Sequence, residues 1–328
     1  MELRQLRAVL AIADHGSFTA AADALDTVQS NISAHIARLE KELDVALVDR
    51  ATGQLTPAGQ VVVEHARQVV SDLTGLVSDL AALEDRVVGT VRVGLIGTTA
   101  RWLVPWLFQA ASKRWPLLRP IYTEGTSSSL EADVIAGELD IAIINLPSSS
   151  ADLVTAPMFE EDLVIVVPVG HELTNNSEIS LRDLGNIPLL LPALGTAFRN
   201  ELDHRAQKLN ATILSKADVN SIRLIASLTL AGCGPSILPA TAVPSYLKDR
   251  WAIVKISDLA PRQVGVARKK LATQSPAIAA VLQLLEEALT DGEVIPPGIV
   301  VSTRGPITLQ GGQRTKTRNG EDDRLPPE

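Results

Sequence analysis

Two short helices joined by a tight connection can be read between Ser17 and Arg50, and no other stretch constrains the fold as strongly. The first helix repeats apolar residues at helical spacing and has Ser17 as its expected N-cap. Thr27 follows a break in that pattern and is expected to cap the second helix. The second helix has apolar residues on one narrow face: Ile32, Ile36, Leu39 and Leu43. This pattern predicts a helix-turn-helix unit.

The opposite face of the second helix is small and polar, with Ser30, Ala34 and Ala37 along it. Small residues let a helix approach a partner closely, and Gln29 lies at its tip. The free N–H groups of the first turn also favour phosphate. A helix of this kind suits the major groove of DNA.

At these positions the chain resembles the LysR-type transcriptional regulators. The motif residues that carry the resemblance are Gly16-Ser17-Phe18, Ala21-Ala22, Leu25, Gln29-Ser30, Ser33, Ile36, Leu39-Glu40, Leu47, Arg50 and Leu55-Thr56-Pro57-Ala58-Gly59. The departures are Val28 in place of a common Ser, Ala34 in place of a polar residue, Asp44 in place of Gly, Val48 in place of Phe, and a short segment between Arg50 and Leu55. These departures bear on which bases are read, not on the fold.

The resemblance implies a multidomain chain with an all-α winged helix-turn-helix and a long linker helix, followed by a two-lobed α/β effector domain like periplasmic solute-binding proteins. The expected boundaries are 1–58 for the DNA-binding domain (core 18–37), 59–88 for the linker helix, 89–290 for the effector domain and 291–328 for a disordered tail. Lobe one is expected at 89–161 and 266–290, and lobe two at 162–265. The expected DNA contacts are Thr19, Thr27, Gln29, Ser30, Asn31, Ser33, His35, Arg38, Arg50 and Thr56.

The charge of the chain argues against a generally basic nucleic-acid binder, because the formal net charge is −8. The first sixty residues hold five Lys or Arg against eight Asp or Glu, a net of −3. Phosphate contacts normally supply much of DNA affinity. We therefore expect a single DNA-binding domain to bind DNA weakly, and several such domains in one oligomer to bind it together.

Thr56-Pro57 predicts the start of a helix that runs to about Asp85, because a capping residue precedes Pro at the first helical position. The apolar residues of this helix alternate at spacings of four and three: Val62, Ala66, Val69, Leu73, Leu76, Leu80, Leu83 and Val87. Such a heptad seam favours a dimerising helix, parallel or antiparallel. The alternative is a helix packed on its own domain. The sequence supports a dimer, and the resemblance implies a tetramer.

From Gly89 onward strands and helices alternate, which is typical of parallel α/β units. Ligands in such lobes bind beyond the carboxyl ends of strands, at helix N-termini. This selects six candidate effector-binding residues: Thr98, Thr99, Thr126, Ser127, Asn145 and Thr196. Arg101 follows Thr99 along the chain and Arg199 follows Thr196, and both are expected to add positive charge to the site. Hydroxyls with free N–H groups favour a small anion, a carboxylate above all. The alternative role of each Thr or Ser is a helix cap.

The remaining features exclude other classes. No catalytic set, cofactor motif or metal-ligand spacing is found, so no enzyme activity, cofactor or metal is expected. The competing class is a small-molecule binding protein or enzyme of the solute-binding fold. No membrane span or export signal is read, and a cytoplasmic location is expected. Cys233 is the single cysteine and is expected to be a buried small residue, with a redox-sensing role as the alternative. Arg314, Lys316 and Arg318 are expected in a solvated tail, with contact to nucleic acid as the alternative.

Overall fold

The computed structural model describes residues 1–302 except 85, 149, 248, 271–273 and 293. The N-terminal head contains α1 (Leu3–His15), α2 (Phe18–Ala24) and α3 (Gln29–Leu43). The hydroxyl of Ser17 accepts a hydrogen bond from the Ala20 N–H at 3.1 Å, as expected for the N-cap of α2. The expected cap at Thr27 is wrong, because Val28 occupies the N-cap of α3 without a side-chain bond. The Thr27 hydroxyl instead accepts from the amide of Asn31 at 3.0 Å.

A short wing follows α3 and leads directly into the linker helix α4 (Pro57–Ala82). The wing contains one antiparallel bridge, between Val48 and Leu55. The Thr56 hydroxyl caps α4 by accepting from the Gly59 N–H at 3.0 Å. A Cβ at Gly59 would lie 2.1 Å from the Leu47 carbonyl oxygen. The linker helix therefore starts in direct backbone contact with the head, at a position where only glycine fits.

The effector domain consists of two α/β lobes, each built on a six-stranded sheet. The chain first passes through β1 (Gly89–Ile96), α5 (Gly97–Arg114), β2 (Leu118–Gly125), α6 (Ser127–Ala136), β3 (Ile141–Leu146) and β4 (Leu153–Glu161). It continues through β5 (Leu163–Pro168), β6 (Glu178–Ile179), β7 (Pro188–Pro192), α7 (Ala197–Lys208), β8 (Leu214–Val219), α8 (Ile222–Leu230), β9 (Ser236–Pro239) and β10 (Trp251–Ile256). The described part ends with β11 (Arg262–Lys269), α9 (Pro276–Thr290) and β12 (Ile299–Val301).

The strand order shows where the chain changes lobe. Lobe one has the order β12-β4-β11-β3-β1-β2, and lobe two has the order β6-β10-β5-β9-β7-β8. In lobe one, β1 pairs in parallel with β2 and β3, and β11 runs antiparallel to β3 and β4. The chain crosses to lobe two after β4 and returns at β11, so two crossovers form the hinge.

Several elements differ from the expectations. The helix α5 begins at Gly97, so Thr98 and Thr99 lie inside its first turn rather than in a turn before it. The chain re-enters the sheet of lobe one at Arg262, before the expected residue 266. Part of the expected disordered tail is ordered, because Ile299–Val301 forms β12 on β4. Cys233 is exposed rather than buried. Arg314, Lys316 and Arg318 lie outside the described residues.

Within the described ranges, no helix combines the length and the apolar character needed to cross a lipid bilayer.

Candidate DNA interface and inter-lobe cleft

The second helix of the head, α3, buries one side and exposes the other. Ile32, Ile36 and Leu39 are at most 1% exposed and pack in one core with α1, α2 and the start of α4. Leu43, which the pattern also placed on this side, is 39% exposed at the helix end. The buried stripe therefore fixes the orientation of α3 and leaves its polar front open to a partner.

The residues expected to contact DNA differ in their exposure to solvent. Six of them are exposed: Thr19, Gln29, Ser30, Asn31, Arg38 and Arg50. Thr27, Ser33, His35 and Thr56 are half-buried. The Nδ1 atom of His35 is buried without a hydrogen-bond partner. The hydroxyl of Thr56 is already used, since it also donates to the Ala46 carbonyl at 2.7 Å. Gln29, Ser30 and Asn31 are thus the exposed side chains of the first turn of α3.

Arg50 is held against the head by a carboxylate that the sequence did not mark as functional. Its guanidinium contacts Glu40 at 2.7 Å and lies 5.6 Å from the centre of the Phe18 ring. The other oxygen of Glu40 accepts from the N–H groups of Leu47 and Val48 at 2.9 and 3.2 Å. Burial alone would raise the pKa of Glu40. The hydrogen bonds from Leu47, Arg50 and Val48 outweigh burial and lower this pKa below its ordinary value. Glu40 therefore positions the wing and Arg50 together.

The seam of α4 divides into two parts. Ala66 is 1% exposed and packs with Val62 and Val63 on the core of the head. The later seam residues are open: Val69, Leu73, Leu76, Leu80 and Leu83 are 43%, 44%, 55%, 58% and 82% exposed. The first turns of α4 thus pack on their own domain, which was the alternative to a dimerising helix. The later turns leave an apolar stripe without a partner in the described chain.

Arg67 connects the head, the linker helix and lobe one. Its guanidinium contacts Asp14 of α1 at 2.6 Å and Glu138, which follows α6, at 3.0 Å. The Arg67 side chain is 14% exposed. This three-way ion pair joins the two functional parts of the chain.

The cleft between the lobes is organised by Arg262, which no sequence pattern indicated as a site residue. Arg262 lies at the start of β11, next to the second crossover. Its guanidinium donates to Glu161 at 2.6 Å and to the hydroxyl of Thr98 at 2.6 Å, and more weakly to the Asn145 side-chain oxygen at 3.4 Å. The Glu161 side chain is fully buried, and its other oxygen accepts from the Thr241 N–H at 2.8 Å.

Three of the predicted effector residues meet through this network and one neighbouring contact. The Ser127 hydroxyl accepts from the Asn145 N–H at 3.0 Å, which joins α6 to the end of β3. Asn145 and Thr98 both receive hydrogen bonds from Arg262. Ser127, Asn145 and Thr98 therefore lie along one edge of the sheet of lobe one, as expected for the carboxyl ends of parallel strands.

Of the other predicted effector residues, two are helix caps and one is buried. Thr126 caps α6, and its hydroxyl accepts from the Ser129 N–H at 3.2 Å. Thr196 caps α7 in the same way and also donates to the Ala193 carbonyl. For these two the cap alternative is observed. Thr99 is fully buried, and its hydroxyl has no hydrogen-bond partner.

The two predicted basic side chains also differ. Arg199 is engaged by Asp203 at 3.0 Å and Asp218 at 2.5 Å, so its charge is already balanced. Burial opposes its charge, but the hydrogen bonds that Arg199 donates to Asp218 and Asp203 raise its pKa above the ordinary value.

Arg101 donates to the Thr241 carbonyl of lobe two. Within the part of the chain that the structure describes, no carboxylate lies within 4.0 Å of the Arg101 guanidinium. Burial lowers the pKa of Arg101, and Arg223 lowers it further, although Tyr246 and Glu161 oppose this. The guanidinium still keeps its proton at neutral pH. It is thus a positive charge, half-buried between the lobes, that forms no ion pair with a carboxylate among the described residues.

No group of three or more His, Cys, Asp or Glu among the described residues is arranged to hold a metal ion.

Two family models match the chain. The LysR substrate binding domain matches residues 84–290, and the bacterial regulatory helix-turn-helix protein of the lysR family matches residues 3–60. A probable hydrogen peroxide-inducible genes activator of Streptomyces viridosporus is 30% identical over 295 residues, covering 88% of this chain and 95% of that protein. The DNA-binding transcriptional dual regulator OxyR of Escherichia coli K12 is 28% identical over 250 residues, with 76% and 82% covered.

Solved structures agree with the family models. A full-length OxyR variant from Pseudomonas aeruginosa matches with a TM-score of 0.72 and 26% identity, covering 93% of this chain and 99% of that chain. Full-length CbnR in complex with its target DNA matches with a TM-score of 0.61 and 25% identity, covering 88% and 99%. These matches confirm the predicted fold class. The chain belongs to the LysR family of bacterial regulators, and it is a DNA-binding transcriptional regulator with an effector-binding domain.

Proposed function

We propose that this regulator is a cytoplasmic homo-oligomer that reads a specific operator and responds to a small anion, a carboxylate, bound between the lobes of the effector domain. The observation that carries the choice of an anion is the half-buried guanidinium of Arg101, which has no carboxylate partner among the described residues. An anion at this place would balance a charge that the protein itself leaves unbalanced.

The surroundings of Arg101 supply further donors for such a ligand. The first turn of α5 presents free N–H groups, since no side chain caps this helix. The hydroxyls of Thr99 and Thr241 are buried without partners. A buried hydroxyl without a partner costs free energy that a bound acceptor would recover. The arrangement combines one cation, a helix N-terminus and two hydroxyl donors, which is the chemistry that recognises a carboxylate.

The DNA-reading part of the proposal rests on α3. Its buried stripe holds it firmly, and Gln29 and Ser30 are exposed at its N-terminal turn. An amide side chain in the major groove can bind the adenine edge by two hydrogen bonds. Arg38 and Arg50 are exposed beside it and suit phosphate contacts.

The oligomeric part of the proposal rests on the open stripe of α4. An exposed apolar stripe with heptad spacing favours pairing with a second copy of the same helix. A dimer would present two heads to two half-sites, which offsets the acidity of each head. A tetramer would extend this to further half-sites.

Hydrogen peroxide is the inducer named for several relatives, which raises a second candidate. This chain has one cysteine, Cys233, so no disulfide can form between two cysteines of one copy. Cys233 is exposed in the segment that follows α8. We therefore favour reversible binding of an anion over thiol oxidation as the controlling event.

The test is footprinting on the DNA around its own gene, with and without a panel of small carboxylates. We expect sequence-selective protection whose pattern changes with one of the carboxylates. No selective protection under any condition would contradict the operator part, and an unchanged pattern throughout would contradict the effector part. Peroxide is the comparison arm. The native chain and Cys233→Ser should give the same footprint with peroxide, and a peroxide response lost in Cys233→Ser would favour the second candidate.

A further inference from the structure

The chain continues past residue 290, where the match to the effector-domain family model ends. The residues that follow fold back onto lobe one. Val294, Ile299 and Val301 pack against the main core of this lobe. We call residues 298–302 the hinge strap, because they run along the first crossover between the lobes.

The hinge strap is anchored to lobe one by a strand ladder. Ile299 and Val301 of β12 lie opposite Glu161 and Phe159 of β4 in an antiparallel register. The N–H of Ser302 donates to the Met158 carbonyl at 2.9 Å. Ile299 and Val301 are half-buried and Val300 is 67% exposed between them, as expected for a strand with one face on the core. The strap is therefore part of the lobe-one sheet and moves with it.

The other end of the strap reaches lobe two. The Gly298 carbonyl accepts from the N–H of Asp162, which lies in the crossover, at 2.9 Å. The Asp162 carbonyl in turn accepts from the N–H of Ala240, which follows β9 of lobe two, at 2.9 Å. A Cβ at Gly298 would lie 2.4 Å from the Ala240 Cβ. The strap and lobe two thus touch so closely that no side chain fits between them.

We propose that the hinge strap sets the angle between the two lobes of the effector domain. A rotation about the crossovers changes the distance between Gly298, which is fixed to lobe one, and Ala240, which is fixed to lobe two. Packed contacts resist such compression because they are already at contact distance. The strap therefore limits rotation of the lobes in one direction, and this limit defines the resting width of the cleft. This goes beyond effector binding, because it holds whichever ligand the cleft takes.

The test alters the contact between Gly298 and Ala240 and measures the angle between the two lobes. Gly298→Ala introduces the Cβ that would meet Ala240. Gly170→Ala is the matched control, because Gly170 has a similar φ of +88° against +85° and its added Cβ meets nothing within 4 Å. Both variants carry the same backbone strain, and only one carries the steric clash.

The angle is read as a distance between two spin labels in the full-length chain. One label is placed on the native Cys233 of lobe two, which is exposed. The other is placed on Ala132→Cys, which is exposed on α6 of lobe one. The labelled chain is co-produced with an excess of a Cys233→Ser chain, so that distances between copies do not contribute. No effector is added, so the result does not depend on the proposed ligand.

We expect Gly298→Ala to displace the maximum of the inter-lobe distance distribution, whereas Gly170→Ala leaves it at the native value. Adding Ala240→Gly to Gly298→Ala removes the clash and should return the native distribution. The proposal is overturned if Gly298→Ala gives the native distribution, or if Gly170→Ala displaces it equally. It is also overturned if Ala240→Gly fails to restore it.

Discussion

Replacing Arg262 by Met should destabilise the effector domain more than any surface change of charge. Arg262→Met leaves the fully buried carboxylate of Glu161 with the Thr241 N–H as its one remaining donor among the described residues. Breaking a buried pair by removing one partner costs about 3–5 kcal/mol. The Arg262 side chain is 15% exposed, so water reaches its end of the pair. We therefore expect a loss at the lower end of this range, about 3 kcal/mol.

The assay is urea unfolding followed by tryptophan fluorescence. All four tryptophans lie in the effector domain, at Trp102, Trp106, Trp115 and Trp251. The signal therefore reports unfolding of this domain. With a urea slope of roughly 2–3 kcal/mol per M, the midpoint should fall by about 1 M or more.

Two further variants distinguish the effect of the unpaired Glu161 carboxylate from a general loss of structure. Arg114→Met removes an ion pair with Glu287 in which the two side chains are 47% and 41% exposed, and it should cost at most about 1 kcal/mol. Adding Glu161→Gln to Arg262→Met removes the stranded charge and should recover about half of the loss. A loss for Arg262→Met no larger than that for Arg114→Met would refute the reasoning, as would a double variant that recovers nothing.

Four other perturbations address the head and the linker helix. Leu76→Asp should dissociate the oligomer in sedimentation analysis, whereas the neighbouring Asp79→Asn should not; an unchanged mass for Leu76→Asp would contradict pairing through the α4 stripe. Gln29→Ala should lower discrimination between operator and mismatched DNA by about 1–3 kcal/mol. Arg38→Ala should instead weaken binding to all sequences and reduce the salt slope by about 1, and titrations at several salt concentrations distinguish the two. The lowered pKa of Glu40 contributes stability that is present above its unfolded pKa and is lost as pH falls through its folded pKa. Native chain should therefore lose stability relative to Glu40→Gln on acidification through that window, and parallel curves in thermal unfolding would contradict this.

The head was largely predictable from the sequence because its signals are local. The buried spacing of Ile32, Ile36 and Leu39, the Ser17 cap and the Thr56-Pro57 helix start all act within a few residues. The wrong cap at Thr27 has a local cause as well. Asp26 adopts a left-handed conformation with φ of 50° in the connection just before Val28, which is the capping position. The spacing of apolar residues in a sequence does not predict the backbone conformation of a single residue such as Asp26.

The cleft was less predictable because its organising groups are far apart in the chain. Arg262 and Glu161 are separated by 101 positions, and Arg262 and Thr98 by 164. Each Arg or Glu alone is typical of a solvated surface, so only the fold reveals that they meet. Thr98 and Asn145 could be named because strand ends follow from local pattern. Whether a hydroxyl caps a helix, as at Thr126, or stays free, as at Thr99, depends on packing that no local pattern encodes.

The close packing of Gly59 on the Leu47 carbonyl has a consequence for how movement reaches DNA. Because the linker helix begins in backbone contact with the wing, the head and the helix form one lever rather than two hinged parts. The helix has 26 residues and is about 39 Å long at 1.5 Å per residue. A tilt of about 5° at its far end carries the head about 3 Å, close to the rise of one base pair. A displacement that is minor within the effector domain is therefore enough to move the head by about the spacing of one base pair.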